Sequence, residues 1–126
     1  MKRILVIDDD VQVRQLLRVI LEEAGYQVFD AANGKEGIRL FRSEPADLVI
    51  TDIIMPEKEG METIGELSGD FPEVKIIAIS GGGRISAVNY LKMEERFGVD
   101  CTFTKPFERE ELLLAIEELL DVPAMA

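Results

Sequence analysis

Apolar residues gather in five short runs: Ile4-Leu5-Val6-Ile7, Gln27-Val28-Phe29, Leu48-Val49-Ile50, Val74-Lys75-Ile76-Ile77-Ala78-Ile79 and Cys101-Thr102-Phe103-Thr104. The first, third and fourth are continuous and rich in β-branched residues, the pattern of strands covered on both faces. Between them the period lengthens to three and four. Val13, Leu16, Leu17, Ile20, Leu21 and Ala24 predict a helix closed by Gly25. Ile38 and Phe41 mark a second helix capped by Asn33, and Met61, Ile64 and Leu67 a third. Ile85, Val88 and Leu91 give a weaker fourth, and Leu112, Leu113, Ile116 and Leu120 a fifth. Strand and helix alternate five times, which predicts an α/β, doubly wound (βα)5 three-layer fold on a parallel five-stranded sheet. One domain over residues 1–121 accounts for the pattern, with 122–126 as a C-terminal tail or the start of a linker.

Charge narrows the function. The chain has 25 acidic and 14 basic residues, a formal net charge of −11, which opposes direct binding to nucleic acid or an anionic membrane. There is no histidine, so a Ser-His-Asp triad, a His-bearing zinc site and a phosphohistidine are excluded. The single cysteine, Cys101, permits neither an internal disulfide nor a cysteine metal cluster. The first residues lack a signal-peptide pattern, and no window approaches a membrane span of ~20 apolar residues. The expectation is a soluble, cytoplasmic domain.

In an open parallel sheet, ligands bind beyond the carboxyl ends of the strands, near a topological switch point. Asp8, Asp9 and Asp10 follow the first run, Asp52 the third, Ser80 and Gly81-Gly82-Gly83 the fourth, and Lys105-Pro106 the fifth. The second ends in Asp30-Ala31-Ala32, with no comparable cluster. With that strand at an edge, the order is 2-1-3-4-5, and three carboxylates, a hydroxyl and an ammonium converge. Packed carboxylates repel one another until a proton or a cation relieves them. Mg²⁺ takes oxygen ligands and suits such a cluster. Its charge would let one carboxylate attack a phosphoryl group, with Lys105 and Ser80 serving the phosphoryl oxygens. Asp10 is read as a helix N-cap.

Ile4-Leu5-Val6-Ile7-Asp8-Asp9-Asp10, Asp52-Ile53-Ile54-Met55-Pro56 with Gly60, Ile79-Ser80-Gly81 and Thr104-Lys105-Pro106-Phe107 together resemble the receiver (CheY-like) domain of two-component response regulators. The resemblance implies Asp52 as phosphoacceptor, Asp9 as direct Mg²⁺ ligand and Asp8 as a ligand mostly through water. It implies the main-chain carbonyl of Ile54 as a further ligand, Ser80 as the switch hydroxyl and Lys105 as the site lysine. The Lys105-Pro106 bond would be cis, aiming the lysine into the site. The implied partners are a sensor histidine kinase or histidine phosphotransfer protein upstream and an output protein or domain downstream. Such a chain is no enzyme beyond assisting its own phosphorylation and dephosphorylation. Three departures stand out. Thr102 replaces the frequent aromatic switch residue, Gly81 stands where Ala is usual, and the Ser80–Lys105 segment is a few residues longer than the common pattern. Signal propagation is accordingly expected through Gly81 to about Val88.

Two other readings share this chemistry. An aspartyl-nucleophile phosphatase of the haloacid dehalogenase type would need Thr or Val at residue 12, where Gln12 stands, and room for a cap domain. A phosphorylation-independent interaction module on the same fold is opposed by the intact acidic pair, acceptor and lysine, and favoured by the missing aromatic at Thr102. The glycines after Ser80 lack the P-loop pattern.

Overall fold

The computed structural model describes residues 1–52, 59–81 and 98–120. Its elements are β1 (Arg3–Ile7), α1 (Val11–Glu23), β2 (Gln27–Ala31), α2 (Gly34–Ser43), β3 (Leu48–Asp52), α3 (Glu59–Asp70), β4 (Lys75–Gly81), β5 (Cys101–Lys105) and α4 (Arg109–Leu120). α4 is the fifth helix of the sequence pattern. The one expected around Ile85–Leu91 lies outside the described residues, as do Gly82, Gly83 and the tail 122–126.

The sheet is parallel throughout, as the alternation of strands and helices predicts, with the strand order β2-β1-β3-β4-β5 expected from the residues at the strand ends. Alternation along each strand divides the core in two. Leu5, Ile7, Val49, Ile76 and Ala78 pack with Phe41, Ile64 and Leu67 of α2 and α3. Ile4, Val6, Leu48, Ile50, Ile77 and Ile79 pack with Leu17, Leu21, Leu112 and Ile116 of α1 and α4. Both faces of the inner strands are therefore apolar, which is why those runs do not alternate with polar residues.

Local signals fix the helix ends. Asn33 Oδ1 accepts from the Glu36 amide at 2.8 Å and caps α2. α1 ends with Gly25 at φ +95°, where the Gly25 amide donates to Glu22 O and the Tyr26 amide to Leu21 O. That is a Schellman closure, and a left-handed glycine permits it. Gly37 answers a different need. A methyl group there would collide with the Ile7 side chain, so glycine lets α2 lie against β1.

Two expectations for α1 need correction. Leu16 is 52% exposed and Ala24 is exposed, so neither joins the packed stripe. The stripe consists of Leu17, Ile20 and Leu21, with Val13 packed beside it. A helix meets a sheet along one narrow line, and Leu16 is rotated off it by one residue's 100°. The strands also run further than their apolar runs. Asp52, Ser80, Gly81 and Lys105 are the last residues inside the ladder rather than the first residues beyond it.

Candidate functional site

Register brings the site together. Ile7 pairs with Thr51, Asp52 with Ile79, Ser80 with Thr104 and Gly81 with Lys105. Asp8, Asp52, Ser80 and Lys105 thus meet at the carboxyl edge of four adjacent strands. The Asp8 amide donates to Ala31 O at 3.1 Å, extending the β1–β2 ladder by one bond. The chain then turns at once into α1. The Asp10 amide donates to Asp8 Oδ1 at 2.8 Å, and Asp10 Oδ1 accepts from the Gln12 amide at 2.9 Å. Asp10 is the N-cap, the role its sequence position predicts.

Two of the charges are packed out of water. Asp8 is 2% exposed, Asp52 5% and Ser80 fully buried, whereas Asp9 is exposed. Lys105 Nζ donates to Asp8 Oδ2 and to Asp52 Oδ2, each at 3.1 Å. Burial pushes the Asp8 carboxyl above its ordinary range. The Asp10 amide and Lys105 oppose that rise, and the Asp52 charge adds to it. For Lys105, burial works against the ammonium, but the two carboxylates outweigh it and its pKa rises. The peptide between Lys105 and Pro106 is cis, as the resemblance implies.

One oxygen each from Asp8, Asp9 and Asp52 lies within 4.8 Å of the others, so these three residues could hold a metal ion. The donor set is all carboxylate, with one member open to water, which fits a hard divalent cation that keeps part of its hydration shell. Ile54, the further ligand implied by the resemblance, lies outside the described residues, as do Met55 and Pro56. Thr102 and Phe103 are half-buried on β5, and Phe103 packs against the core with Cys101.

The end of β2 carries an ion pair of its own. Asp30 Oδ2 accepts from Arg14 Nε at 3.3 Å and Asp30 Oδ1 from Arg18 Nη1 at 3.1 Å. Arg14 Nη1 also donates to the main-chain carbonyl of Asp8 at 2.7 Å. A sequence signal for this exists. Arginines at 14 and 18 lie one turn apart on a single face of α1, the spacing that lets both reach one acidic residue.

Residues 4–117 match the family model for the response regulator receiver domain. The response regulator receiver protein CpdR of Brucella abortus is 35% identical over 121 residues, covering 95% of this chain and 98% of that protein. The crystal structure of a CheY-like receiver domain protein from Methanospirillum hungatei superimposes with a TM-score of 0.87 at 34% identity, covering 96% of this chain and 94% of that one. The chain spans 48% and 27% of the length of two transcriptional regulators that it also matches, the second being GlrR of Escherichia coli. No described helix is long and apolar enough to cross a membrane. With a family model matched over residues 4–117, a relative covered almost end to end at 35% identity and a closely superimposing receiver structure, the chain belongs to the response regulator receiver family of two-component systems.

Proposed function

We propose that Asp52 accepts a phosphoryl group from a phosphohistidine on a sensor histidine kinase or histidine phosphotransfer protein, and that the change alters a face read by a downstream output protein or domain. One observation carries this reading: a single ammonium, Lys105, bridges two buried carboxylates at 3.1 Å each, with a third, exposed carboxylate in the same cluster. An Asp52 oxygen forms its bond to phosphorus as the bond from phosphorus to the donor's imidazole nitrogen breaks, and the electron pair returns to that imidazole. The product is an acyl phosphate on Asp52. Lys105, already placed on Asp52, balances charge on the phosphoryl oxygens. Ser80, buried at the end of β4, is the hydroxyl for a phosphoryl oxygen in the modified state, a charge-assisted bond that favours one conformation over another.

Asp9 directly, Asp8 mostly through water, Asp52 and the carbonyl of Ile54 would hold Mg²⁺. When bound, the ion neutralises the carboxylates and the incoming phosphoryl oxygens. The chain carries out no turnover beyond its own phosphorylation and dephosphorylation, and it acts in the cytoplasm.

Incubation with acetyl phosphate and Mg²⁺ is expected to add the mass of one phosphoryl group, removable by hydroxylamine. Asp52→Asn should abolish the gain. An unchanged stoichiometry in that variant would overturn the assignment.

A further inference from the structure

The carboxylate of Asp9 is exposed, so its direction depends chiefly on its main chain. Two contacts fix that main chain. Arg14 Nη1 holds the carbonyl oxygen of Asp8 at 2.7 Å, and Asp8 Oδ1 holds the Asp10 amide at 2.8 Å. A peptide unit is planar, so the first contact fixes the plane on the N-terminal side of the Asp9 Cα and the second fixes the plane on its C-terminal side. With both planes restrained, the Cα–Cβ bond of Asp9 is aimed, and the rotamers that reach the cluster are set from there.

We infer that Arg14, anchored by Asp30, is a positioning residue that sets the direction of the Asp9 carboxylate by pinning the peptide between Asp8 and Asp9. Its side chain is 16% exposed. Asp30, opposite Val6 in the β1–β2 register, holds Arg14 from the neighbouring strand, and Asp30 and Glu22 together balance Arg14 and Arg18. The guanidinium therefore brings little net positive charge to a cluster that must receive a cation. Arg18 is the internal control. It bonds the other oxygen of Asp30 and pairs with Glu22, one turn further along α1.

The inference rests on the reading of Asp8, Asp9 and Asp52 as a metal site, and its test separates the two. Mg²⁺ affinity is measured from the rise in melting temperature with Mg²⁺ concentration, a readout independent of phosphorylation. Arg14→Met is expected to weaken Mg²⁺ binding about tenfold, the scale seen when a partner behind a metal ligand is removed. Arg18→Met should leave the affinity unchanged. In an Asp9→Ala background, studied at raised Mg²⁺, Arg14→Met should add no further loss, because it acts through Asp9. Should Arg14→Met fail to fold, Asp30→Asn loosens the anchor while leaving the bond to Asp8, and a smaller loss in the same direction is expected. Wild-type affinity in Arg14→Met, or an equal loss with Asp9 already removed, overturns the positioning role while the metal reading stands. No Mg²⁺ effect on the wild-type chain overturns the metal reading and this inference with it.

Discussion

At the start of β1, the Asp47 carboxylate accepts from the Arg3 amide at 2.8 Å, while the Asp47 amide donates to Arg3 O at 2.9 Å. Asp100 repeats this two-point clamp on Ile76 of β4, with both bonds at 2.8 Å. Both aspartates are exposed, and each ties the lead-in of one strand to its neighbour. At the other end of the same sheet, Asp8 and Asp52 are buried and share one lysine. One residue type thus does opposite work at the two edges. At the amino edge each carboxylate stays in water and gives the fold a hydrogen bond at little desolvation cost. At the carboxyl edge the carboxylates are desolvated and crowded, an arrangement that costs folding energy and leaves negative charge ready for a cation.

The sharpest way to break this contrast is to remove the shared ammonium. Lys105→Met takes the shared cation from two buried carboxylates at neutral pH, and the metal-free protein should lose about 3 kcal/mol in urea unfolding. Mg²⁺ should restore part of that loss. The raised pKa of Lys105 sets the alkaline limit. Its contribution is complete below the ordinary value of 10.5 and disappears as pH rises through the higher folded value. A Lys105→Met variant as stable as wild type would remove the idea of a crowded carboxyl edge.

Changes at the amino edge should be smaller and indifferent to metal. Asp100→Ala deprives the Ile76 amide of its acceptor and should cost about 1–2 kcal/mol. Asp47→Ala, where the bond is more exposed, should cost about 1 kcal/mol or less. Urea unfolding with and without Mg²⁺ should give the same difference for each. A Mg²⁺-dependent loss at either position would blur the distinction between the two ends.

The smallest expected effect is a pH dependence. Asp8 binds its proton more readily in the folded chain than in the unfolded one, because burial raises its pKa above the ordinary 3.8. Its contribution to metal-free stability is therefore most favourable below 3.8 and declines as pH rises through the raised folded value. The stability difference between wild type and Asp8→Asn should follow that sign. A difference that grows in favour of wild type as pH rises would contradict it.

Much of this was legible in the residues. The continuous runs at Ile4 and Leu48 marked inner strands because both their faces are covered, and strand-end positions brought Asp8, Asp52, Ser80 and Lys105 to one edge. Asp10 and Asn33 declared themselves as caps through local chemistry alone. The Arg14–Asp30 bridge was harder to read. It joins a helix to a neighbouring strand, so it depends on the packing of α1 over β2 as well as on spacing. Leu16 misled for a related reason, since periodicity marks a helix face without saying how wide the sheet beneath it is. The clamps made by Asp47 and Asp100 leave no mark in the sequence pattern, because strand register decides which amides they hold.

In the proposed function the carboxyl edge holds negative charge for a cation, with Asp9 as its open ligand. The most direct measurement compares Asp9→Ala with Asp10→Ala by Mg²⁺-dependent thermal stabilisation. Asp10 caps a helix and its side chain bonds the Gln12 amide, so Asp10→Ala should lower the melting temperature with and without metal while keeping the Mg²⁺-induced rise. Asp9→Ala should leave the metal-free protein as stable as wild type or more so, and should lose most of that rise. Equal Mg²⁺ responses in the two variants would contradict the account.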